Sequence, residues 1–145
     1  MPLKVAIPRK RRPHRVFHLN LNVYRNSHYQ VLNQAKRIFR EAIRFQVEAL
    51  CAPACLPLRL RYVLYMPTRR TVDLTNVCAV VDKFACDALV DLGLLPGDDS
   101  SVISSVEYVF GGVDPARPRC ELFLEPDGKA GRRAGFPLMP GRRVG

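Results

Sequence analysis

The chain has 145 residues, of which 48% are hydrophobic, and it carries a formal net charge of +10 at pH 7. This length and hydrophobic fraction predict one compact domain and exclude an intrinsically disordered chain. No apolar run approaches the roughly 20 residues of a membrane-spanning helix, and the first 15 residues lack the apolar segment of a secretory signal. We therefore expect a cytoplasmic protein.

The net charge arises from 23 Lys and Arg residues against 13 Asp and Glu residues. Such an excess predicts a polyanionic partner, and nucleic acid is the usual one because each neutralised phosphate releases counterions. The alternative is that the charge only keeps the two ends of the chain in solution. Cations also occur throughout the middle, for example Arg59 and Lys83. Charged ends alone therefore do not account for the excess.

The cysteine pattern predicts reduced thiols in a reducing compartment. The number is odd and the spacing forms no disulfide framework. Cys51 and Cys55 have no nearby histidine or second cysteine pair, so a zinc site is disfavoured. The five positions are Cys51, Cys55, Cys78, Cys86 and Cys120.

The N-terminal part is basic and is punctuated by proline. Residues 1–15 form a basic lead-in with a short strand predicted at Lys4–Ile7. Val16–Asn22 alternates polar and apolar residues and predicts a second strand. The polar and aromatic residues that follow, up to position 30, are typical of a loop over a site.

Tyr29–Leu50 has the periodicity of an amphipathic helix. Ser27 is the predicted N-cap, with Gln30 completing a weak capping box. The apolar side consists of Leu32, Ala35, Ile38, Phe39, Ala42, Ile43 and Val47. The outer face is basic, with Lys36, Arg37, Arg40 and Arg44.

Leu58–Met66 alternates leucine with arginine before becoming wholly apolar, which predicts a strand in the middle of a sheet. A second helix is predicted at Leu74–Leu92, with Gly93 as its stop. Its buried stripe consists of Val77, Val81, Phe84, Ala88 and Leu92. A neighbouring quadrant of the helical wheel holds Asp73, Asn76, Val80, Lys83 and Asp87.

Two further strands are predicted at Val102–Phe110 and Arg119–Leu124, joined by a Gly-Gly and proline-containing connection. Residues 127–145 have the composition of a basic flexible tail. The order of elements predicts an α+β domain at residues 16–126, with two main helices packed on one small mixed β-sheet.

Carboxylates flank the second helix. Asp73 lies at its start, and Asp98 and Asp99 follow a Pro-Gly turn after its end. Together they have the oxygen ligands for a Mg²⁺ ion beside a phosphate, and Lys83 is the candidate group for balancing charge on that phosphate. Each residue also has a simpler interpretation. Asp73 is suited to capping the helix, the Asp-Asp pair to a plain turn, and Lys83 with Asp87 to a surface ion pair.

The stretch from residue 73 to residue 99 resembles the central motif of the RusA-like Holliday-junction resolvases, a family of small dimeric endonucleases common in phages and prophages. That motif is an Asp-Leu-Asp-Asn helix start, a lysine followed four residues later by Asp-Ala-Leu, and a loop ending in Asp-Asp. The matching residues here are Asp73, Leu74, Asn76, Lys83, Asp87, Ala88, Leu89, Asp98 and Asp99. Residues 20–29 are also similar to the family's N-terminal substrate loop, and the resemblance extends over about residues 16–125.

The resemblance implies a RusA-like fold and a metal-dependent site. Asp73, Asp98 and Asp99 would hold Mg²⁺, or Mn²⁺ as the alternative. The catalytic residues would be Asp73, Lys83 and Asp99, with Thr75 and Asp87 in support. The residues expected to contact nucleic acid are Asn20, Tyr24, Arg25, Asn26, Arg40, Arg69, Arg70 and Asn76.

This chain departs from the family motif at two points. Thr75 stands where the family has its second aspartate, so one expected metal ligand is missing. The interval from Asp73 to Lys83 is also about one helical turn longer than in the commonest form, which roughly restores the same helix face. The first departure places metal affinity and activity in question.

The function expected from the resemblance is resolution of four-way DNA junctions by paired phosphodiester hydrolysis, in a bacterial or phage-infected cell. A homodimer is expected because the junction has approximate twofold symmetry. Two alternatives stay open. The first is a protein of the same fold that binds branched DNA without cutting it. The second is an RNA-associated basic protein, although the sequence contains no aromatic-rich motif for stacking bases.

Overall fold

The computed structural model describes residues 1–128 and the backbone of residues 142–144. The described chain is α+β, which confirms the predicted class. Residues 129–141 and 145, which belong to the predicted tail, lie outside the described residues. The elements are β1 (Lys4–Ile7), β2 (Arg15–His18), α1 (Leu21–Arg25), α2 (Tyr29–Glu48), β3 (Leu58–Met66), α3 (Leu74–Asp91), β4 (Ile103–Val113), β5 (Arg119–Pro126) and β6 (Arg142–Val144).

Strand β3 lies inside the main sheet, as its sequence predicted. The strand order is β4-β3-β5-β6, with β3 and β4 parallel and the other two pairs antiparallel. Two parallel strands need a crossover connection, and α3 supplies it. Every second residue of β3 is buried against the helices, namely Leu58, Leu60, Tyr62 and Leu64. Strands β1 and β2 form a separate antiparallel hairpin.

Phe84 of α3 lies at the centre of the aromatic core. Its ring stacks on Phe17 of β2 at 6.0 Å and meets Phe39 of α2 edge-on at 5.7 Å. Helix α2 buries Ala35, Phe39, Ile43 and Val47, which lie four residues apart, as the predicted amphipathic pattern requires. The hairpin, α2 and α3 therefore share one core.

The first helix was not predicted. The predicted strand Val16–Asn22 ends at His18, and residues 21–25 form α1 where the sequence indicated the end of a strand and a loop. The reason is hydrogen bonding at the helix start. Asn20 adopts an extended backbone conformation, and its Oδ1 accepts a hydrogen bond from Val23 N at 2.9 Å.

The predicted N-cap of α2 was wrong by one residue. His28 occupies the position, and its Nδ1 accepts a hydrogen bond from Gln30 N at 3.3 Å. The Ser27 hydroxyl instead donates to the Val23 carbonyl at 2.6 Å, because it closes the end of α1.

Helix α3 begins at Leu74 and ends at Asp91, within one residue of the prediction, and Gly93 has the positive φ of 75° expected of a helix stop. Val80, which the helical wheel placed among the polar residues, is only 1% exposed. The wheel allowed for one buried stripe, whereas α3 contacts the sheet, α1 and α2. The buried residues of α3 are Cys78, Val80, Val81, Phe84, Ala85, Cys86, Ala88 and Leu89.

The Gly-Gly pair predicted to connect two strands lies inside β4 instead. A Cβ atom on Gly111 would come within 2.6 Å of Val63 and 2.7 Å of Tyr65. Gly112 has φ of 125°, and the pairing of β3 with β4 shifts register just before Tyr65. The glycines therefore let β4 pass an irregularity in the sheet without ending the strand.

The cysteines form no disulfide, as the sequence predicted. Cys78, Cys86 and Cys120 are buried, and Cys51 and Cys55 are exposed. Among the helices of the described residues, none combines the length and the apolar character needed to cross a membrane.

Candidate functional site

Asp73 caps the N-terminus of α3. Its Oδ1 accepts a hydrogen bond from Asn76 N at 3.2 Å, and the residue is exposed. The interpretation of Asp73 as a helix cap is therefore confirmed for this oxygen. The macrodipole of α3 also favours a negative charge at this end. The second carboxylate oxygen, Oδ2, accepts no hydrogen bond from the described residues.

Asn76 joins the start of α3 to the start of α1. Its Oδ1 accepts a hydrogen bond from Leu21 N at 3.1 Å, beside the cap that Asn20 provides. A five-residue helix is too short to be stable alone, so these two asparagines hold α1 against α3. Both were predicted to contact nucleic acid. Their amide oxygens have a structural role, which leaves the Nδ2 groups to donate to another molecule.

Three arginines surround this end of α3. Arg25 is exposed at the end of α1, and Arg69 and Arg70 are exposed in the segment before Asp73. None of them forms an ion pair within the part of the chain that the structure describes. We refer to residues 20–26, which are α1 and its two cap residues, together with residues 69–76 as the N-terminal end of α3. It contains seven of the eight residues predicted to contact nucleic acid, all except Arg40.

Two of these seven are held by contacts inside the chain. The ring of Tyr24 is partly buried and meets Phe84 edge-on at 6.4 Å. Asn26 ends α1, and its Nδ2 donates to the Asn22 carbonyl at 2.8 Å. Tyr24 therefore anchors α1 to the core. Arg25, which lies between Tyr24 and Asn26 in the chain, is exposed to solvent.

The C-terminal end of α3 has paired charges instead. Lys36 of α2 contacts Asp87 at 2.5 Å, and Arg40 of α2 contacts Asp91 at 2.8 Å. The predicted surface pair of Lys83 with Asp87 is therefore replaced by a pair between two helices. Arg40, predicted to contact phosphate, is already neutralised by a carboxylate. Lys83 is exposed and forms no ion pair with the described residues.

A cleft of about 520 Å³ lies between α2 and α3 at this end. Asp98 lines it together with Asp87 and Asp91, so the acidic loop after α3 belongs to the C-terminal end. We refer to residues 87–99 with the facing side chains of Lys36 and Arg40 as the C-terminal end of α3.

The predicted metal ligands are separated by the length of α3. The helix has 18 residues and therefore extends about 27 Å, and Asp73 is about 21 Å along the axis from Asp87. Asp73 and the Asp98-Asp99 pair do not meet within one chain. Among the described residues no group of three His, Cys, Asp or Glu side chains is placed to hold a metal ion. For the same reason Asp87 does not supply the carboxylate missing at Thr75.

Asp99 forms the turn that leads into β4. Its Oδ1 accepts hydrogen bonds from the Ser101 amide at 2.7 Å and the Ser101 hydroxyl at 2.5 Å. These bonds lower the pKa of Asp99 from its usual value. Its carbonyl oxygen accepts from the amides of Val102 and Ile103 at 3.0 and 2.9 Å. Asp99 therefore has the turn role that its sequence position indicated.

A polar cluster in the middle of α3 was not predicted. Asp82 accepts hydrogen bonds from the Tyr108 hydroxyl at 3.0 Å and the Cys86 thiol at 3.3 Å. The hydroxyl of Tyr62 lies 3.8 Å from the same sulfur. Burial, with the Asp82 charge nearby, raises the pKa of Cys86 to about 12. The two tyrosines are partners on adjacent strands, but only the register of β3 with β4 reveals their proximity.

Comparison with known proteins does not assign a family. No protein-family profile matches the chain, and no curated protein matches its sequence. The similarity of residues 73–99 to the resolvase motif therefore stays a prediction.

Proposed function

We propose that this chain is a dimeric, metal-dependent endonuclease that binds and cuts branched DNA. The observation that carries the proposal is the cluster of exposed arginines without ion pairs around Asp73. Cations that are not neutralised inside the protein are available to phosphates, and such contacts position a nucleic acid without reading its sequence. Arg25, Arg69 and Arg70 are the residues in this role.

The separation of the carboxylates makes the dimer part of the proposal. Within one chain Asp73 lies at the opposite end of α3 from Asp98 and Asp99, so these residues do not fit one ion. A twofold dimer has one interface in which every contact occurs twice, so the two ends of α3 can meet at two equivalent places. If α3 helices run antiparallel across the axis, Asp73 of one chain lies beside the partner's Asp98 and Asp99. Carboxylate oxygens are the ligands that Mg²⁺ prefers.

A second candidate is a protein that binds branched DNA without cutting it. Thr75 favours this candidate because it replaces the family's second aspartate with a neutral side chain. The cap made by Asp73 and the turn made by Asp99 favour it too, because each carboxylate already has a structural role. Both candidates share the same surface for DNA.

The decisive experiment mixes two inactive variants, Asp73→Asn and Asp99→Asn. Each variant alone should bind a labelled four-way junction without cutting it. In a mixed dimer with shared sites, one site has lost both carboxylates and the other has kept both. The mixture should therefore recover activity and should nick one strand, whereas the wild type cuts two. Dimers are prepared by co-expression with two different affinity tags.

Three other outcomes separate the alternatives. If the mixed dimer stays inactive while the wild type cuts, the site lies within one chain and the shared arrangement is wrong. Junction binding by the wild type without cutting in either Mg²⁺ or Mn²⁺ identifies the non-catalytic protein. Tighter binding to duplex RNA than to any DNA identifies the RNA-associated alternative.

A further inference from the structure

The first forty residues have an unusual charge distribution. They contain no Asp or Glu, and the first carboxylate of the chain is Glu41. Only Lys36 and Arg40 among the cations of this segment form ion pairs with described residues. The ten cations are Lys4, Arg9, Lys10, Arg11, Arg12, Arg15, Arg25, Lys36, Arg37 and Arg40.

Six of these ten cations lie on the hairpin of β1 and β2. The two strands pair from Lys4 with His18 to Ile7 with Arg15, and residues 8–14 join them as a fully exposed tip. Four consecutive cations, at positions 9–12, form the centre of this tip. What the sequence indicated as a basic lead-in is therefore an ordered ribbon with a cationic end.

The base of the hairpin is fixed in the core. Val5 and Phe17 are paired and buried, and the Phe17 ring stacks on Phe84 of α3. The chain after β2 is tied back by a hydrogen bond from Leu19 N to the Leu3 carbonyl at 2.9 Å. The tip is thus presented from a rigid base and does not depend on a flexible segment for its position.

The tip itself is also restricted. Pro8 and Pro13 bound the four cations, and each proline fixes its own φ near −65° and restricts the residue before it. A restricted segment loses less conformational entropy when it is ordered on a ligand. The cations nevertheless repel one another, and residues 1–40 contain no Asp or Glu to offset that cost.

The exposed face of the hairpin is compatible with close approach to a surface. It carries Ala6 and Val16 in the middle and Lys4 with His18 at the base. No acidic side chain occurs on either strand, and the middle residues are small. A two-stranded ribbon of this kind fits the major groove of B-form DNA, which is about 12 Å wide. It does not fit the deep and narrow major groove of A-form RNA.

We propose that the β1–β2 hairpin is an arm that binds duplex DNA, with the cations at positions 9–12 on backbone phosphates along a groove. The inference rests on the proposed function only in that both take DNA as the ligand. It requires neither cutting nor a junction, because the hairpin contacts an ordinary duplex. On a branched substrate the arm would hold one of the duplex arms.

The test measures the affinity of the full chain for a short linear DNA duplex in EDTA, over a range of KCl concentrations. Replacing residues 9–12 by glutamine should lower the slope of log affinity against log salt by about two to four, since each phosphate contact contributes about 0.9. Arg11→Gln alone should lower it by about one. Arg44→Gln is the matched control. It removes the same charge from a partly exposed arginine that is already paired with Glu41, and the slope should not change.

One further variant and one further ligand complete the design. A variant with lysine at positions 9, 11 and 12 keeps the charge and should keep the wild-type slope, and circular dichroism should show native folding for every variant. The inference is overturned if the glutamine variant has the same slope as Arg44→Gln. A loss of slope in the lysine variant, or an equal loss on an RNA duplex of the same sequence, also overturns it. Failure of the wild type to cut a junction bears only on the proposed endonuclease.

Discussion

The two ends of α3 contain the same kinds of charged side chain in opposite arrangements. At the N-terminal end, Arg69 and Arg70 have no carboxylate partner among the described residues, and Asp73 is exposed. At the C-terminal end, Asp87 and Asp91 are each paired with a cation of α2. The difference shows that a count of cations does not locate a phosphate-binding surface. Pairing within the fold decides which cations remain available.

The helix itself explains part of this difference. The macrodipole of α3 places partial positive charge at its N-terminus, where Asp73 is favourable, and partial negative charge at its C-terminus. Asp91 in the last turn is therefore unfavourable by itself. Arg40 from α2 offsets it at 2.8 Å. Lys36 and Arg40 on the basic face of α2 therefore stabilise the packing of α2 against α3, and their charges are not available to a ligand.

The largest expected effect comes from exchanging one carboxylate at each end. Asp73→Asn should abolish junction cutting, because the exposed carboxylate is lost, yet it should change the free energy of unfolding by less than about 1 kcal/mol, because asparagine is also a good N-cap. Asp91→Asn should leave cutting intact, since its partner is Arg40. Gel assays of cutting and thermal unfolding measure the two effects. If Asp73→Asn cuts the junction at the wild-type rate, Asp73 has only its structural role as a helix cap.

The next effect separates available cations from paired ones. Replacing Arg69 and Arg70 by glutamine should lower the salt slope of junction binding by about two with little change in stability. Replacing Lys36 and Arg40 by glutamine should leave the slope unchanged. That second variant should lose up to about 1 kcal/mol of stability per pair, because the pairs are partly exposed. Equal salt slopes for the two double variants would contradict the idea that pairing within the fold decides which cations bind phosphate.

A smaller effect is expected from adding a carboxylate at the N-terminal end. Thr75→Asp should lower the Mg²⁺ concentration needed for half-maximal cutting, because a charged oxygen ligand replaces a neutral one. For the wild type, Mn²⁺ should support cutting at lower concentration than Mg²⁺. Asp87→Asn is the control and should leave the metal titration unchanged, since the Asp87 carboxylate is already paired with Lys36. A collapse of activity in Asp87→Asn would show that the ligand assignment is wrong.

The smallest effect concerns the middle of α3. Folding raises the pKa of Cys86 from 9.0 to about 12. The stabilisation that the neutral Cys86 thiol contributes is therefore fully present below pH 9 and is lost as the pH rises towards 12. Cys86→Ala should therefore lose less stability than the wild type between pH 9 and 10, by about 1 kcal/mol. Urea unfolding at the two pH values measures this difference. Cys55→Ala, at an exposed cysteine, is the control and should behave as the wild type does.

The long elements could be predicted from the sequence because their patterns are local. The four-residue spacing of Ala35, Phe39, Ile43 and Val47 gave α2, and Gly93 gave the end of α3. Helix α1 could not be predicted in this way. The alternation that indicates β2 continues to Asn22, and the bond that holds the helix start comes from Asn76, 55 residues away.

The candidate site was predicted in part. The sequence grouped Asn20, Arg25, Arg69, Arg70 and Asn76, and the contact between α1 and α3 brings them to one end of the helix. The separation of the carboxylates was missed, although the length of the predicted helix already implied it. The pairing of Lys36 and Arg40 could not have been predicted, because it depends on how α2 crosses α3.

The parallel pairing of β3 with β4 has a consequence for synthesis of the protein. Strand β3 is complete at Met66, but both of its neighbours come later, and β5 ends only at Pro126. The ribosome adds about 5–20 residues per second, so the central strand waits roughly 3 to 12 seconds for the last neighbour. Until β4 is complete at Val113, its apolar second half has no neighbouring strand to join. A translating cell must keep this nascent segment from aggregating, and slow codons between β3 and β5 would lengthen its exposure.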